Sequence, residues 1–376
     1  MIQRNEIMSL HCLFRKHADV KVLPYSMVSD YDKNELYHQL TLASQKHEPL
    51  TTNQEERNLI KNIKLRTKLL NVNNITRTNA YLNFYLANED VHWALLAHMV
   101  SRNGGWSMTD LKSDIISPFL QNHQQTTLFH FLERANALIF HDAYPQLLLY
   151  EESKTRKKPL FDLLLAFNVS KFMKPIWKHF FQYRDSHILT NALITNEQNY
   201  LEKNLMNSDG TKKHILNSLS FMIQEKLGLT NVFFPHQKIF FQPIHSLAGV
   251  EIQNFSEVSA RIHVGKTLYD ILFFQQLYER ILDFAERNTH TASRSDYWPH
   301  LFSTNMTNKK IYSPTLYSAW EDVEHIFTKN DWFTSFDQVK GFEQMVKVNS
   351  VDVTKDVKFD LLKLVSLVKM KQQIML

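Results

Sequence analysis

The chain has 376 residues, of which 44% are hydrophobic, 12% are aromatic and only seven are glycine. This length can bury a large core in two or three domains or in one extended helical body, and the scarcity of glycine disfavours a turn-dense β architecture. The formal net charge of +5 at pH 7 is mild for such a length, so the composition does not indicate a dedicated nucleic-acid-binding protein.

The segment at 1–50 has mixed polarity and contains Cys12, the only cysteine of the chain. A single cysteine excludes an internal disulfide and a cysteine-cluster zinc site, and it is typical of a reducing compartment. The first residues lack the apolar stretch of a secretion signal, and no run of about 18 apolar residues occurs in the sequence. We expect a cytoplasmic protein with no transmembrane segment and with a weakly organised segment at 1–50.

Helical periodicity predicts a first helical region over 51–153 and a second over 154–376. The basic stretch Lys154–Pro159 joins the two regions, and one continuous domain from residue 51 fits the pattern as well. Short apolar runs broken by proline, including Ile239–Pro243, predict an irregular or extended insert near 229–250. The predicted fold class is all-α with a bundle-like body, whose helical patterns cover about 52–70, 74–87, 89–103, 126–152, 160–184, 197–206, 211–227, 265–288, 314–328, 335–347 and 355–374.

Two of the seven glycines are adjacent, at Gly104 and Gly105. Adjacent glycines allow left-handed backbone and close approach of a neighbour or ligand, so they predict a turn that ends one helix. Ser107 and Asp110 then have the spacing of a capping box that starts the next helix. Before the glycines, His98 and Arg102 share one helix face by their spacing of four and point toward the predicted turn.

A second group of polar residues follows on the next apolar helix, where His130, Arg134, His141 and Tyr144 form a stripe. Together with the predicted turn, this stripe suggests a polar pocket suited to a carboxylate or phosphate. The alternative is structural: caps, a tight interhelical turn, and arginines paired with Glu133 or Asp142. The candidate ligand-binding residues are Arg77, His98, Arg102, Asn103, Gly104, Gly105, Trp106, Asp110, Arg134, His141 and Asp142.

A second hypothesis is an enzyme that performs acid–base or metal-assisted hydrolysis with His98 or His141 and Asp110 or Asp142. The residue types suit zinc, manganese or iron, but His92 and His98 are six residues apart and there is no HExxH or Glu-x-x-His motif. The sequence also lacks a GxSxG elbow, a GxGxxG loop and a Walker A loop. No metal ligand, catalytic residue or cofactor is therefore assigned.

A third hypothesis is a helix-turn-helix over 92–116, because two predicted helices flank the glycine pair. The second helix carries Asp110 and Asp114 against one basic residue, Lys112, and the phosphate backbone of DNA would repel such a face. Only the basic cluster Lys154–Lys158 supports this hypothesis. We therefore do not expect nucleic acid as a partner.

The predicted C-terminal helix at 355–374 is amphipathic. Its apolar stripe contains Val357, Leu361, Leu364 and Val365, with lysines interspersed. Such a helix can pack on its own domain, on a partner protein or on a membrane surface, and docking on its own domain is the expected arrangement.

Three blocks of the sequence, Asn74–Tyr81, His92–Leu111 and Glu133–Tyr150, resemble an uncharacterised family of Bacillus-type spore-forming bacteria. This family is grouped as a domain of unknown function and includes the YppC-like proteins. The resemblance extends over most of the chain after about residue 50 and implies a cytoplasmic bacterial protein. It implies no activity, cofactor or catalytic residue. The sequence therefore predicts a helical binding or scaffold protein whose partner is a small anionic ligand or another protein, with the oligomeric state left open.

Overall fold

The computed structural model describes residues 30–45, 49–206, 231–237, 245–251, 256–306, 309–328, 331–348 and 351–374. Helices dominate these residues, as predicted. The α-helices are α1 (Asp30–Gln45), α2 (Gln54–Leu70), α3 (Asn74–Ala87), α4 (His92–Asp110), α5 (Asn122–Arg156), α6 (Met173–Tyr183), α7 (Ser186–Leu201), α8 (Val258–Phe274), α9 (Tyr278–Arg287), α10 (Leu316–Ala319) and α11 (Thr354–Ile374).

Shorter helical segments connect or extend these elements. The 3₁₀ segments are Ser117–Phe119, Phe161–Phe167, Arg294–Asp296 and Phe336–Val339, and a π-helical turn at Glu202–Met206 follows α7. The predicted joint at Lys154–Pro159 begins in the last turn of α5, so this helix crosses the predicted boundary at 153/154. The division of the chain into two helical regions remains a prediction.

Two small sheets accompany the helices. Strand β1 (Asn231–His236) pairs antiparallel with β2 (Ser246–Glu251), and β3 (Phe302–Ser303) pairs parallel with β4 (Ile311–Tyr312). The first sheet confirms the extended insert predicted near 229–250. The side chain of Asn103 holds β1 against α4, because its Nδ2 donates to the Phe233 carbonyl at 2.8 Å and its Oδ1 accepts from the Phe233 N–H at 3.1 Å.

Helix α4 lies at the centre of the core. Its side chains Trp93, Leu95, Met99 and Trp106 are each at most 1% exposed, and it packs against α3, α5, α7, α8 and β1. Burying an apolar side chain of this size stabilises the fold by roughly 1.5–3 kcal/mol. The polar residues of α4 are therefore placed by an extensive apolar framework.

The predicted turn at Gly104 and Gly105 is wrong, because α4 continues through both glycines to Asp110. Neither glycine has a positive φ. A Cβ atom at Gly105 would lie 2.3 Å from Asn74 Oδ1 and 2.8 Å from His290 Nε2. The glycine thus serves close packing of neighbouring segments on a continuous helix, and this segment contains no helix-turn-helix.

The helices predicted at 314–328 and 335–347 are also wrong in extent. Only Leu316–Ala319 and the 3₁₀ turn Phe336–Val339 are helical in those ranges. Beyond α10, tertiary contacts hold the chain extended: Trp320 stacks on Phe129 at 4.2 Å between ring centroids, and Trp320 Nε1 donates to the Met108 carbonyl at 2.9 Å. These contacts with α4 and α5 outweigh local helix propensity.

The remaining predictions concern the N-terminal segment, the residues between α7 and β2, and the C-terminal helix. Residues 30–45, within the segment predicted to be weakly organised, form α1, whereas Cys12, the helix predicted at 211–227 and the Ile239–Pro243 run lie outside the described residues. The C-terminal helix is confirmed: Val357 and Leu364 are buried, and Phe359 and Leu362 on the same helix are exposed. Within the described residues, no helix is long and apolar enough to cross a membrane.

Candidate functional site

The polar residues around Gly105 form a buried hydrogen-bond network, which we call the Asn74 network. Asn74 Nδ2 donates to the Ser101 carbonyl at 2.8 Å, and its Oδ1 accepts from His290 Nε2 at 2.8 Å. The hydroxyls of Thr78 and Ser101 lie 2.6 Å apart. These residues are all buried, and burial of polar groups is tolerated when they satisfy one another in this way.

His98 and Arg102 extend this network on the same helix face, as predicted. Arg102 Nε donates to His98 Nε2 at 3.0 Å, and His98 Nδ1 lies 2.8 Å from the Thr78 carbonyl. Because arginine only donates, Nε2 of His98 must accept and the proton must sit on Nδ1. Burial and the nearby Arg102 lower the pKa of His98 well below its usual value, and burial lowers the pKa of Arg102 to about 10. His98 is therefore neutral.

The C-terminal end of α4 is tied to the segment after α9. Asp110 pairs with Arg294, whose Nε lies 2.9 and 2.8 Å from the two carboxylate oxygens. Trp106 Nε1 lies 3.3 Å from Asp296 Oδ2. The guanidinium of Arg102 also donates to the Asn288 carbonyl. The predicted site residues of α4 are thus bound to residues roughly 185 positions later.

The candidate residues of α5 lie in two other places. The ring of His141 stacks on Phe327 at 3.9 Å, and Arg134 Nη2 donates to the Ile326 carbonyl at 2.6 Å. Asp142 Oδ2 accepts from Asn196 Nδ2 at 2.6 Å and from Gln146 Nε2 at 2.9 Å. Burial raises the pKa of Asp142 to about 7. The eleven predicted residues therefore do not converge on one pocket.

The acid–base hypothesis required His98 or His141 to work with Asp110 or Asp142. Each of these four side chains is instead bound to other groups: His98 to Arg102, His141 to Phe327, Asp110 to Arg294, and Asp142 to two amides. Among the described residues, no group of three or more His, Cys, Asp or Glu side chains could hold a metal ion. The geometry brings no predicted acid–base pair together.

A cavity of about 150 Å³, open to solvent on one side, lies on the other side of α4 and is lined by residues of α3, α4, α5, α7, α8 and β1. We call it the Arg77–Glu197 cavity. Most of its wall is apolar, formed by Tyr81, Trp93, Leu96, Ala97, Val100, Ile139, Val232, Val264 and Leu268. The polar side chains that line it are Arg77, Ser101, Asn136, Glu197, Gln198 and Arg261.

Arg77 is the only predicted site residue that lines this cavity. It is 1% exposed, its Nη2 lies 2.5 Å from Glu133 Oε1, and its Nη1 donates to Asn71 Oδ1 at 3.0 Å. Glu133 Oε1 also lies 3.4 Å from His325 Nε2. Arg77 Nε has no hydrogen-bond partner among the described residues. A buried N–H group without an acceptor is costly, and Arg102 Nη1 is a second buried arginine nitrogen in this condition among the described residues.

Glu197 enters the same cavity from α7. Its Oε1 accepts from Gln198 Nε2 at 3.1 Å, and the side chain of Trp93 is a second hydrogen-bond partner. Burial of the carboxyl raises its pKa to about 8, so Glu197 is protonated at neutral pH. Across the cavity, Arg261 pairs with Glu202 at 2.7 Å and donates to Gln198 Oε1 at 3.0 Å.

The sequence contained little that could identify this cavity. Its walls are made of the same Leu, Val, Ala and aromatic residues as the core, and such sites have few polar groups. The one available indication is Glu197, the sole acidic residue in α7 (Ser186–Leu201). An isolated acid in a buried helix predicts a perturbed pKa and hence a candidate site.

Comparisons with known proteins identify the family. Residues 69–356 match the family described as "Protein of unknown function (DUF2515)". The chain is also 40% identical over 279 residues to "Uncharacterized protein YppC" of Bacillus subtilis (strain 168), which covers 74% of this chain and 84% of the relative. No solved structure matches the chain significantly. The chain therefore belongs to the DUF2515 family, as the resemblance of its sequence blocks predicted.

Proposed function

We propose that this member of the DUF2515 family is a helical ligand-binding protein and that its ligand occupies the Arg77–Glu197 cavity. The carrying observation is the cavity itself: about 150 Å³ of space at the meeting point of five helices, with apolar walls and a few polar groups. This composition is typical of small-molecule sites. An apolar cavity of similar volume is large enough to bind a benzene ring.

The energetics of burial support the same proposal. Covering the apolar wall of this cavity, which holds about 150 Å³, stabilises a bound ligand by about 25 cal/mol per Å² of apolar surface removed from water. A ligand whose apolar part covers this wall gains that free energy on binding. The Asn74 network offers no comparable gain, because Asn74, Thr78, His98 and Ser101 already bind one another.

The direct test uses three probes that share one ring and differ in charge: benzylamine, benzyl alcohol and benzoate. The thermal midpoint of the purified protein is measured with each probe, and native mass spectrometry checks whether a small molecule copurifies. We expect at least one probe to raise the midpoint of the wild-type protein in a saturable manner.

The matched variants place the same new ring inside and outside the cavity. Ala97→Phe fills the cavity from α4, whereas Ala87→Phe changes an exposed residue at the end of α3. We expect Ala97→Phe to abolish the response to the probe and Ala87→Phe to retain it. Equal responses of the two variants, or no response of the wild-type protein to any of the three probes, would overturn the proposal.

A further inference from the structure

The carboxylates in and around the core, buried or half-buried, divide by whether a cation pairs with them. Glu133 pairs with Arg77, Asp110 pairs with Arg294, and both pairs are buried. Glu197 has only Gln198 and Trp93 as partners, and within the described residues no cation pairs with it. A buried carboxyl lacking a counter-ion stays protonated unless a positive charge is brought to it.

The charges around the cavity are otherwise balanced. Arg77 neutralises Glu133, and Arg261 neutralises Glu202, whose Oε2 lies 2.7 Å from Arg261 Nη2. No arginine of the cavity is left to neutralise an anionic ligand, whereas Glu197 can supply one negative charge. The balance therefore favours a cation over an anion.

The wall beside Glu197 is aromatic. Tyr81 and Trp93 both line the cavity, and their rings meet edge to face with centroids 5.5 Å apart. Aromatic faces attract cations, and the attraction is stronger where water is excluded. One carboxylate together with two aromatic rings is a combination of groups that recognises an ammonium ion.

We propose that the Arg77–Glu197 cavity binds a protonated primary amine with a small apolar body, and that the ammonium group pairs with the Glu197 carboxylate. This inference rests on the proposed function and adds the chemical class of the ligand. The remaining cavity wall, which includes Leu96, Val264 and Leu268, accommodates the apolar body. In this arrangement the ammonium group of the ligand is the counter-ion of the Glu197 carboxylate.

Binding of this kind releases a proton. The carboxyl is protonated in the free protein at pH 7, since burial raises the pKa of Glu197 to about 8, and it must ionise to pair with the ammonium. The charged and titratable groups nearby are Arg77 and Tyr81 on α3, Asp142 on α5 and Arg261 on α8. Arg77 and Arg261 keep their carboxylate partners throughout, so Glu197 is the group whose proton leaves.

The experiment compares the dissociation constants of benzylamine, benzyl alcohol and benzoate by isothermal titration calorimetry. We expect benzylamine to bind most tightly at pH 8, and its affinity to rise about tenfold between pH 6 and pH 7. Repeating the titration in two buffers with different ionisation enthalpies measures the release of close to one proton per benzylamine at pH 7.

Two variants separate the pairing from general effects on the cavity. Glu197→Gln keeps the shape of the side chain and removes its charge, and it should weaken benzylamine by about 30-fold while leaving benzyl alcohol unchanged. Asp162→Asn removes an exposed carboxylate that pairs with Lys174 outside the cavity and should leave benzylamine unchanged. The thermal midpoint of each variant confirms that it is folded.

The outcomes distinguish this inference from the proposed function. Tighter binding of benzyl alcohol or benzoate than of benzylamine, or a Glu197→Gln variant that binds benzylamine like the wild-type protein, would overturn the amine and leave the cavity as a ligand site. Failure of all three probes to bind would overturn both.

Discussion

The two faces of helix α4 differ in how their polar neighbours are satisfied. On one face, His98, Arg102 and Gly105 pack into a network in which side chains and carbonyls from α3 and from the segment after α9 bind one another. On the other face, Trp93 and Ala97 border a cavity. The face with more polar residues is bonded internally apart from Arg102 Nη1, which shows that a dense polar motif in a sequence can mark internal bonding. The other face is distinguished by open space and, within the part of the chain described, by a carboxyl group without a cation among apolar walls.

The largest expected effect is on the internally bonded face, at the ion pair between Asp110 and Arg294. Asp110 is 1% exposed and the Arg294 side chain 12% exposed. Arg294→Met leaves a buried carboxylate without its partner, so we expect a loss of about 3–5 kcal/mol in the free energy of unfolding. Chemical denaturation measures this loss.

The control for that prediction removes both charges. The double variant Asp110→Leu with Arg294→Met leaves no buried ion unpaired and should recover most of the lost stability. A single variant that loses less than about 1 kcal/mol, as exposed ion pairs do, would contradict the view that this end of α4 is a buried structural network.

A smaller effect is expected from the two glycines of α4, which are adjacent in sequence and differ in their surroundings. In Gly105→Ala the new Cβ lies 2.3 Å from Asn74 Oδ1, so the Asn74 network must shift, and we expect a loss of about 2 kcal/mol. In Gly104→Ala the nearest atom is Asn136 Nδ2 at 3.2 Å, at the end of a side chain that can move. The intrinsic helix propensity of alanine, about 1 kcal/mol better than that of glycine, should offset this contact.

Thermal and chemical denaturation of both glycine variants sharpen the comparison of the two faces. We expect Gly104→Ala to unfold within about 0.5 kcal/mol of the wild-type protein, as is usual for changes away from tightly packed sites. Equal losses of stability at the two positions would contradict this comparison. They would mean that both glycines meet a requirement of the backbone itself, and that close packing against Asn74 does not explain the pair.

Helical periodicity was sufficient to predict the α-helical class, the long helix through Pro145 and the extended insert around β1 and β2. It could not predict that α4 continues through Gly105, because the reason lies in Asn74 and in His290, which is 185 residues further along the chain. For the same reason, the helix predicted at 314–328 is formed only at Leu316–Ala319: the conformation that follows depends on contacts with α4 and α5 that no local pattern contains.

The candidate site was predictable only in part. The spacing of His98 and Arg102 correctly placed them on one face, where they hydrogen-bond. Their partners in the 285–296 segment are far away in sequence, and the local pattern therefore predicts a pocket where the residues have internal partners. Arg77 was identified because of its charge, whereas Glu197 was missed because one acid among neutral residues forms no motif. Unpaired polar groups become recognisable only when burial and bonding are known.

Asp142 allows a last comparison, because like Glu197 it is a carboxyl without a cation partner among the described residues, but it is fully buried, is held by two amides and does not line the cavity. Burial, followed by the charge of Asp331, raises its pKa to about 7, against the lowering effect of the bond from Asn196. The unfolded chain ionises this carboxyl near pH 4. Between about pH 4 and pH 7 the folded protein therefore holds one more proton than the unfolded chain, and stability falls as the pH rises through this window.

Removing this titration should flatten the dependence of stability on pH. Between pH 5 and pH 6, Asp142→Asn should lose less unfolding free energy than the wild-type protein does, by about 1.4 kcal/mol.

Glu197 contributes to the wild-type slope in the same direction, since its pKa is also raised, so Glu197→Gln serves as the matched variant. If benzylamine changes the pH dependence of the Asp142→Asn protein but not that of the Glu197→Gln protein, the two unpaired carboxyls have separate roles. An unchanged slope in Asp142→Asn would instead mean that Asp142 ionises at its ordinary pKa, and the amides of Asn196 and Gln146 would then suffice to hold a buried charge without any cation.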